Sequence, residues 1–324
     1  MNKEKFAIFC TIAALILVPA FVVWYQYGYR PSQYPQDVKV IDLTGVAEQG
    51  TWTDETVTGL NYWWKNFAPA AIFLETGDEV ILRFHSADVL HQFYVPELSI
   101  GPITVEPGHV VEYRFKADKA GVFQYYCTST CGGCHFYMRG WIVITNPGEE
   151  PPKVDPIVCP LCLPNFGPPP GKDPIQLGEY LYQAMGCITC HGLEGRGGIT
   201  NHNYLNKTVP AHNRTAEKIF LREEEDAETF LELIAGEQNI NDLDESPGIP
   251  LFKVVRDRFN AAVDLIKKGK NAAKLDMSGP EPPLQMPSWQ EKLSQEEIYA
   301  LLGYFISLQP WDEDEDEYED EDDE

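Results

Sequence analysis

The first hydrophobic pattern along the chain is an apolar segment near its N-terminus. Residues 6–29 carry no charged side chain, and within residues 6–25 only Thr11 and Pro19 are not apolar. About 20 such residues are needed for a helix to cross the hydrocarbon core of a bilayer. The pattern therefore predicts a transmembrane anchor over residues 1–30. A cleaved signal peptide is the alternative, but its apolar stretch would be unusually long and no small-residue cleavage site follows it.

Apolar and polar residues alternate with a period of two in segments between residues 37 and 146. Val80, Leu82 and Phe84, for example, alternate with polar or charged neighbours, and turn signals rich in Gly, Pro and Asp separate such segments. Short alternating segments at this spacing are typical of a sandwich or barrel. We therefore predict an all-β domain over residues 37–146.

A proline-rich segment over residues 147–174 separates the β pattern from a helical one. Ten of its 28 residues are proline, which predicts a stiff, extended linker. Residues 175–310 then show apolar side chains at helical spacing, which predicts an all-α domain. Its predicted helices lie ahead of Cys187, around residues 216–236 and 250–269, and after Ser294, which forms a capping box with Glu297.

Charge narrows the possible functions. The 324 residues include 50 acidic and 25 basic side chains, for a net charge of −25. Residues 312–324 hold twelve acids and one tyrosine, so residues 311–324 are predicted to form a disordered acidic tail. Because nucleic-acid phosphates require a basic surface, the charge argues against a nucleic-acid partner and allows a basic protein partner.

The cysteines supply the first candidate site. Seven of the eight lie near the middle of the chain at short spacings, which favours metal or cofactor ligation over a disulfide framework. Residues 126–138 read YCTSTCGGCHFYM, and a histidine follows an alternating segment upstream. Two thiols, two imidazoles and a thioether suit copper, and two bridging thiolates can hold two copper ions. The candidate ligands are His91, Cys127, Cys131, His135 and Met138.

The same segment permits another interpretation. Cys131-Gly-Gly-Cys134-His135 matches the C-x-x-C-H string that attaches haem. Haem there would leave Cys127, Met138 and the His91 segment without a role, so we favour copper. Cys134 is then predicted to be a small buried thiol beside the site.

A second C-x-x-C-H string, Cys187-Ile-Thr-Cys190-His191, follows a predicted helix and precedes a glycine-rich loop. Two thiols can form thioethers with haem vinyl groups while the adjacent histidine binds the iron. Copper or zinc would need a further nearby ligand, which the loop lacks. The string therefore predicts one covalently bound haem c.

The linker contains Cys159 and Cys162 without a following histidine, so they cannot form a standard haem site. A local disulfide between them, or two free thiols, is the expectation in an oxidising compartment.

Two segments resemble a known family. Residues 86–98 (SADVLHQFYVPEL) and 127–138 resemble subunit II of haem–copper oxidases, in which a cupredoxin β-barrel carries the binuclear copper centre CuA. The resemblance implies that two histidines are terminal ligands, two cysteines bridge the coppers, a methionine is a weak ligand and a backbone carbonyl completes the set. The implied residues are His91, His135, Cys127, Cys131, Met138 and the carbonyl of Ser129. Many family members have glutamate at the Ser129 position, where it helps to hold magnesium, so no magnesium site is predicted.

Residues 286–308 (MPSWQEKLSQEEIYALLGYFISL) resemble the end of class I cytochromes c, where the methionine ligand precedes the last helix. The resemblance implies Met286 as the sixth haem ligand, with Met277 as the rival; Met185 is predicted to be core. His202 and His212 lie in polar loops and are expected to have no special role, although a loop histidine could replace the methionine.

Together these resemblances imply a cytochrome-c-fused subunit II of a membrane-bound terminal oxidase. Such a subunit takes electrons from a soluble donor, for example a cytochrome c, and passes them through haem c and CuA to a catalytic subunit I that reduces oxygen and moves protons. The chain is expected to be a single-pass protein of the inner membrane with its domains on the periplasmic side. The single span and Ser129 resemble the B-type oxidases.

A nitric oxide reductase subunit would carry the same cofactors, and a free-standing anchored dihaem cytochrome is a further alternative. Family members often have an aromatic cluster that delivers electrons to CuA near the position of Trp63 and Trp64. Here the match is loose, and we expect these side chains to serve in the core or at an interface.

Overall fold

The structure is a computed structural model that describes residues 3–25, 29, 34–163, 165–169, 173–236, 239–244 and 248–311. Residues 312–324 of the predicted acidic tail lie outside the described residues, as do a few residues of the predicted anchor and linker.

The N-terminal apolar segment forms one helix, α1 (Lys3–Trp24), of 22 residues. None of its residues is buried against the rest of the protein. It is long and apolar enough to cross a membrane, and an apolar helix without a protein partner fits a single-pass anchor. The predicted apolar helix is confirmed.

The alternating segments form nine strands in two sheets. One sheet has the order β2-β1-β4-β7 and the other the order β3-β9-β8-β5-β6. Strands β1 and β4 pair in parallel, as do β3 and β9, and the other pairs are antiparallel. The strands are β1 (Val38–Val46), β2 (Thr51–Thr53), β3 (Ala71–Glu75), β4 (Glu79–Ser86), β5 (His91–Val95), β6 (Ile100–Val105), β7 (Val111–Lys116), β8 (Gly121–Cys127) and β9 (Arg139–Thr145).

The two sheets pack face to face around an apolar core. Val80, Leu82 and Phe84 are fully buried on the inner face of β4, as their alternation predicts. Trp52 lies between the sheets, with its ring 5.7 Å from that of Phe84 and 5.6 Å from that of Phe93, both edge to face. The predicted all-β domain is a cupredoxin-like β-sandwich.

Residues 173–311 form a helical region with its own core. Residues 216–236, predicted as one helix, instead form two, because Phe220 adopts φ 73°, which an α-helix cannot continue. The capping box of Ser294 and Glu297 is present. The helices are α2 (Pro174–Ala184), α3 (Ile188–His191), α4 (Thr215–Lys218), α5 (Glu224–Ala235), α6 (Phe252–Lys268) and α7 (Gln295–Ser307).

Helices α2 and α7 make close backbone contact at Gly178. A Cβ atom at this position would lie 2.1 Å from the carbonyl oxygen of Ala300, so only glycine allows the observed approach. The ring of Tyr182 then packs on Tyr304 and Phe305 at centroid distances of 5.6 and 5.5 Å. This contact brings the ends of the helical region together around the segment that contains Cys187.

The linker is tied to the β-sandwich rather than extended away from it. The indole of Trp141 donates a hydrogen bond to the carbonyl of Asp155, at 2.8 Å. The linker therefore lies beside β9, and Cys159 forms a disulfide with Cys134. The expectations that Cys159 pairs locally or stays free, and that Cys134 is a free thiol, are therefore wrong. Cys162 is a free cysteine.

Candidate functional sites

The candidate copper ligands meet at one end of the β-sandwich. His91 is the first residue of β5, and Cys127 is the last residue of β8. These strands are antiparallel neighbours, with Phe93 paired to Cys127 in register. The loop between β8 and β9 folds back so that the Cys127 amide donates to the carbonyl of Met138, at 2.9 Å. The loop is thereby closed beside His91.

Five of the six predicted ligands have direct contacts in this loop. The sulfur of Cys131 lies 3.9 Å from that of Cys127, 3.5 Å from Nδ1 of His135 and 3.6 Å from Sδ of Met138. The Cys127 thiol donates to the carbonyl of Ser129, at 3.3 Å. Donor atoms of His91, Cys127 and Cys131 all lie within 4.8 Å of one another. The structure therefore gathers all six predicted groups at one place.

His91 is held by a carboxylate that sequence reasoning missed. Its Nε2 lies 2.8 Å from Oδ1 of Asp88, and Asp88 in turn accepts hydrogen bonds from the Ala47 amide at 2.6 Å and the Tyr62 hydroxyl at 2.9 Å. A Cβ atom at Gly45 would lie 2.7 Å from the imidazole, so the glycine makes room for the ring. This hydrogen-bonded carboxylate fixes the orientation of His91.

Nδ1 of His91 has no hydrogen-bond partner among the described residues, although the side chain is fully buried. Buried polar atoms are nearly always paired, so an orphaned ring nitrogen aimed at two sulfur atoms calls for a partner of another kind. A metal ion bound between His91, Cys127 and Cys131 would satisfy it. The residues present thus fit a soft metal such as copper.

The electrostatics of the cluster favour the ionised forms of Cys127 and His91. A hydrogen bond from the Cys131 thiol, together with the two nearby imidazoles, lowers the pKa of Cys127 against the effect of burial. The same bond to Cys127 raises the pKa of Cys131. Burial lowers the pKa of His91, but the Asp88 carboxylate and the nearby Cys127 sulfur outweigh burial and raise the pKa to about 9. Thiolates are the form that binds metal.

The disulfide bears on the alternative of haem at this loop. Cys134 is bonded to Cys159 and has no thiol with which to form a thioether. In the oxidised form described here, the string Cys131 to His135 therefore cannot attach haem through both of its cysteines.

The second C-x-x-C-H string opens onto a cavity of about 550 Å³ in the helical region. Cys187, Cys190, His191 and Met286 all line this cavity, together with many apolar side chains. Nδ1 of His191 lies 3.0 Å from the carbonyl of Pro210. A proton on Nδ1 makes this a hydrogen bond and leaves Nε2 available as a ligand. The size of the cavity, its apolar lining and its donor side chains fit a haem group.

Other predicted roles in this region need correction or refinement. Met277 is 79% exposed and does not line the cavity, whereas Met185 does. His212 is not a solvated loop residue: its ring lies 4.0 Å from that of His191 and stacks on Phe305 at 4.7 Å. Burial lowers the pKa of His212 well below its usual value, with help from His191. His212 is therefore a second potential ligand in the cavity.

The two candidate sites are joined by direct contacts. Arg139 follows Met138 and is buried, and its guanidinium donates to the carbonyl of Thr189 at 2.8 Å and to the sulfur of Cys190 at 3.1 Å. The guanidinium also lies 5.5 Å from the ring of Tyr126. One side chain thus spans the space between the copper-ligand loop and the haem-attachment string.

A second contact runs through aromatic rings. The ring of Phe136 lies 5.0 Å from that of His135 and 5.7 Å from that of Trp289, and Phe136 lines the cavity that contains Cys187. Sequence reasoning did not identify Arg139 or Phe136. Both sit beside predicted ligands, which was the available signal, but only the fold shows that they reach the helical region.

The predicted aromatic pair lies on the surface. Trp63 and Trp64 are 78% and 74% exposed, so the expectation that they belong to the core is wrong and a role at an interface remains. The neighbouring Tyr62 contacts Trp63 edge to face, and its hydroxyl donates a hydrogen bond to Asp88. Because Asp88 also binds His91, a single residue, Asp88, connects Tyr62 to the candidate ligand.

The comparisons with known proteins agree with this geometry. A family model described as "Cytochrome C oxidase subunit II, periplasmic domain" matches residues 68–146. A cytochrome c oxidase subunit 2 of Thermus thermophilus is 30% identical over 115 residues, which cover 32% of this chain and 84% of that protein. One of Alkalihalophilus pseudofirmus is 28% identical over 157 residues, which cover 46% of this chain and 44% of that protein.

A nitrous-oxide reductase of Ralstonia nicotianae is also similar, with 37% identity over 120 residues that cover 36% of this chain and 18% of that protein. The β-sandwich and its cluster of sulfur and imidazole donors define a protein with a cupredoxin-like domain. The chain belongs to the cytochrome c oxidase subunit II family. It spans less than half the length of the Alkalihalophilus relative.

Proposed function

We propose that this chain is the electron-transfer subunit II of a membrane-bound respiratory haem–copper oxidase. It takes electrons from a soluble donor such as a cytochrome c and passes them through haem c and a binuclear CuA centre to a catalytic subunit I, which reduces oxygen and drives proton translocation. The chain is a part of an oxidoreductase whose oxygen-reducing site lies in another subunit. Its domains face the periplasmic side of the inner membrane, anchored by α1.

The observation that carries the proposal is the buried donor cluster with the orphaned Nδ1 of His91. Cys127 and Cys131 would hold the two coppers as thiolates, and His91 and His135 would be imidazole ligands. Met138 would be a weak ligand, and the carbonyl of Ser129 would complete the set. CuA, when bound, supplies one-electron transfer with little rearrangement, because its ligands are fixed in advance by the loop and by Asp88.

The helical region is proposed to be a class I cytochrome c domain. Cys187 and Cys190 would attach the haem through thioethers, and His191, held by the Pro210 carbonyl, and Met286 would bind its iron. The cavity of about 550 Å³ that these four residues line supports this assignment. Haem c, when bound, supplies the site that accepts an electron from the donor, and the apolar lining controls its polarity and access to water.

The contacts of Arg139 and Phe136 support transfer between the two centres. They hold the copper-ligand loop in direct contact with the haem-attachment string. Two cofactors bound at these sites would therefore stay at a fixed, short separation. A flexible linker alone would not fix the distance between the two cofactors.

The test is the cofactor content of the full-length chain, purified in detergent from cells that attach haem c. We expect two coppers and one haem per chain and the EPR signal of a mixed-valence copper pair. Cys131→Ser should lose the copper signal and keep the haem, Cys190→Ser should do the reverse, and Cys10→Ser is the control that should change neither. Two haems without copper would show that the Cys131 to His135 segment attaches haem and would overturn the proposal.

A further inference from the structure

Three cysteines outside the two candidate sites form a separate sulfur cluster. The disulfide joins Cys134 to Cys159, and the free thiol of Cys162 lies 3.9 Å from the sulfur of Cys134. All three sulfur atoms lie within 4.8 Å of one another. Cys134 and Cys159 are buried, and Cys162 is partly exposed. The cluster therefore has a buried pair and one sulfur that solvent can reach.

The surroundings of the cluster favour a soft ligand. Tyr137, Ile157 and Ile188 pack around the three cysteines, and the Cys162 thiol contacts the carbonyl of Glu48 at 3.7 Å. Among the described residues, the group of close donor atoms contains sulfur alone, without a carboxylate or an imidazole. Calcium and magnesium require oxygen ligands, so such a group excludes them. Thiolates select soft ions such as Cu(I).

The number of sulfur atoms also discriminates between metals. Structural zinc sites are almost always tetrahedral with four protein ligands, and this group offers three. With metal–sulfur bonds of about 2.3 Å, three sulfur atoms around one ion in a plane lie about 4 Å apart. The Cys134 and Cys162 sulfur atoms, at 3.9 Å, already have this separation. Opening the disulfide allows Cys159 to reach it as well.

We propose that Cys134, Cys159 and Cys162, once the disulfide is reduced, form a three-thiolate Cu(I) site next to the candidate CuA centre. Cys134 lies directly between Cys131 and His135 in the sequence, so one loop carries ligands of both sites. A copper ion held by the three thiolates is therefore within one short segment of the CuA ligands. The site holds copper for delivery to them, a role that rests on the proposed function.

The Cys134–Cys159 disulfide can be reduced by a dithiol. The dithiol transfers two electrons and two protons to the Cys134–Cys159 disulfide and becomes a disulfide itself, and Cys134 and Cys159 become thiols. Cu(I) then displaces the thiol protons as it binds. Copper does not change its oxidation state in this step. The Cys162 thiolate can itself attack the Cys134 sulfur, 3.9 Å away, which forms a Cys134–Cys162 disulfide and releases Cys159 as the thiol. The dithiol then attacks this disulfide at Cys162, which is partly exposed, whereas the Cys134–Cys159 pair is buried.

The test measures Cu(I) binding to the full-length chain in detergent against a Cu(I) chelator, without oxygen, before and after a phosphine reductant. The background variant Cys127→Ser/Cys131→Ser removes the competing copper ligands. After reduction it should bind one more Cu(I) than before, with three sulfur ligands by X-ray absorption. Adding Cys162→Ser should lower the sulfur count to two, and adding Cys159→Ser as well should abolish the reduction-dependent copper. Cys10→Ser is the matched control and should have no effect.

The same titration on the wild-type chain shows whether the result depends on misfolding of the variants. The wild-type chain should bind one additional Cu(I) on reduction, whatever the Cys127 and Cys131 site already holds. Copper binding that reduction does not change, or a sulfur count that Cys162→Ser does not change, would overturn the proposal. Neither outcome bears on the CuA assignment, because that test counts copper in the oxidised chain.

Discussion

At the scale of single residues, the environment of His91 shows how a neighbouring carboxylate fixes the orientation of a candidate copper ligand. Asp88 accepts four hydrogen bonds: from His91, from Tyr62 and from the amides of Ala47 and Val89. Partial burial raises the pKa of Asp88, but these donors outweigh burial and hold the pKa below its usual value. Asp88 therefore stays ionised and presents a fixed acceptor to the imidazole.

Replacing that acceptor should weaken the copper site. We expect Asp88→Asn to lower copper affinity by about 10- to 100-fold, which is the usual cost of losing a partner that orients a metal ligand. Copper competition titration of the full chain measures this, and EPR reports whether a mixed-valence pair survives. Tyr62→Phe is the matched control: it removes one donor to Asp88 and keeps the His91 contact, so it should have a much smaller effect. Equal losses in both variants would contradict this role for Asp88.

Residue spacing predicted which donor side chains lie together but not the residues that support them. His91, Cys127, Cys131, His135 and Met138 have unusual chemistry at close intervals, so the sequence alone points to them. The Cys134–Cys159 disulfide spans 25 residues and depends on how the linker folds back, which spacing cannot show. Local sequence identifies reactive side chains, whereas distant pairings depend on the path of the chain.

At the scale of elements, the crossing of α2 and α7 depends on the absence of one side chain. Gly178→Ala would place a Cβ atom 2.1 Å from the Ala300 carbonyl. Because two helix backbones would have to separate, we expect a loss of about 1 to 3 kcal/mol in the free energy of unfolding. Urea unfolding followed by far-UV circular dichroism measures this loss.

Gly303→Ala is the matched control on the partner helix. A Cβ atom there would have its nearest contact at 3.5 Å, with the Leu231 side chain, which is ordinary van der Waals contact. Alanine favours the helix over glycine by up to about 1 kcal/mol, so this variant should be neutral or stabilising. A similar loss in both variants would show that the crossing does not depend on Gly178.

The turn between β3 and β4 contains the Asp78 carboxylate, which should make the stability of the protein depend on pH. Partial burial raises the pKa of Asp78. The Lys39 ammonium at 2.6 Å and the Glu75 amide at 2.7 Å outweigh burial and hold this pKa below 3.8. Because the pKa is lowered on folding, the carboxylate stabilises the fold above pH 3.8, and this contribution is lost as pH falls through the folded-state pKa.

The corresponding experiment compares Asp78→Asn with the wild type at several pH values. The variant should be less stable at neutral pH by no more than about 1 kcal/mol, because the ion pair is close to solvent. The difference should shrink as the solution is acidified below pH 3.8. Lys39→Gln should show the same trend with a smaller amplitude. A difference that grows in acid would have the wrong sign and would contradict the argument.

Elements with local signals were the predictable ones. The Ser294–Glu297 capping box and the alternation in β4 each depend on residues within a few positions of one another. The break between α4 and α5 was not predicted, since residues 216–236 keep an apolar pattern through Phe220. Its left-handed backbone lets the Leu221 amide bond to the carbonyl of Ala216, and this turn reflects packing rather than composition.

At the scale of the whole molecule, the contact between the β-sandwich and the helical region could not be predicted, because its residues are far apart in sequence. The hydroxyl of Tyr137 donates to the carbonyl of Gln183, and that of Tyr94 to the carbonyl of Glu281. The linker adds the disulfide, which ties the copper-ligand loop to the segment leading into α2. The proline-rich composition predicted an extended linker, whereas in the structure the linker is bonded to the β-sandwich.

Arg139 is the residue through which this contact can be tested. Its guanidinium is buried between Tyr126, Thr189 and Cys190, so Arg139→Gln removes a charged donor and leaves the Thr189 carbonyl without its partner. Hydrogen bonds to charged groups contribute about 1.5 to 3 kcal/mol, and we expect the contact to weaken by that order. Under the proposed function, electron transfer from haem c to CuA should then slow.

Flash-induced reduction of haem c, followed at its own absorption band and at that of CuA, separates this step from reduction by the donor. In Arg139→Gln the first phase should be unchanged and the second slower, with copper and haem content equal to the wild type. Arg114→Gln is the matched control, since Arg114 is an exposed arginine on β7 paired only weakly with Glu79, at 3.5 Å. A second phase as fast in Arg139→Gln as in this control would mean that the two centres are held together without the arginine, and Phe136 would then be the contact to remove.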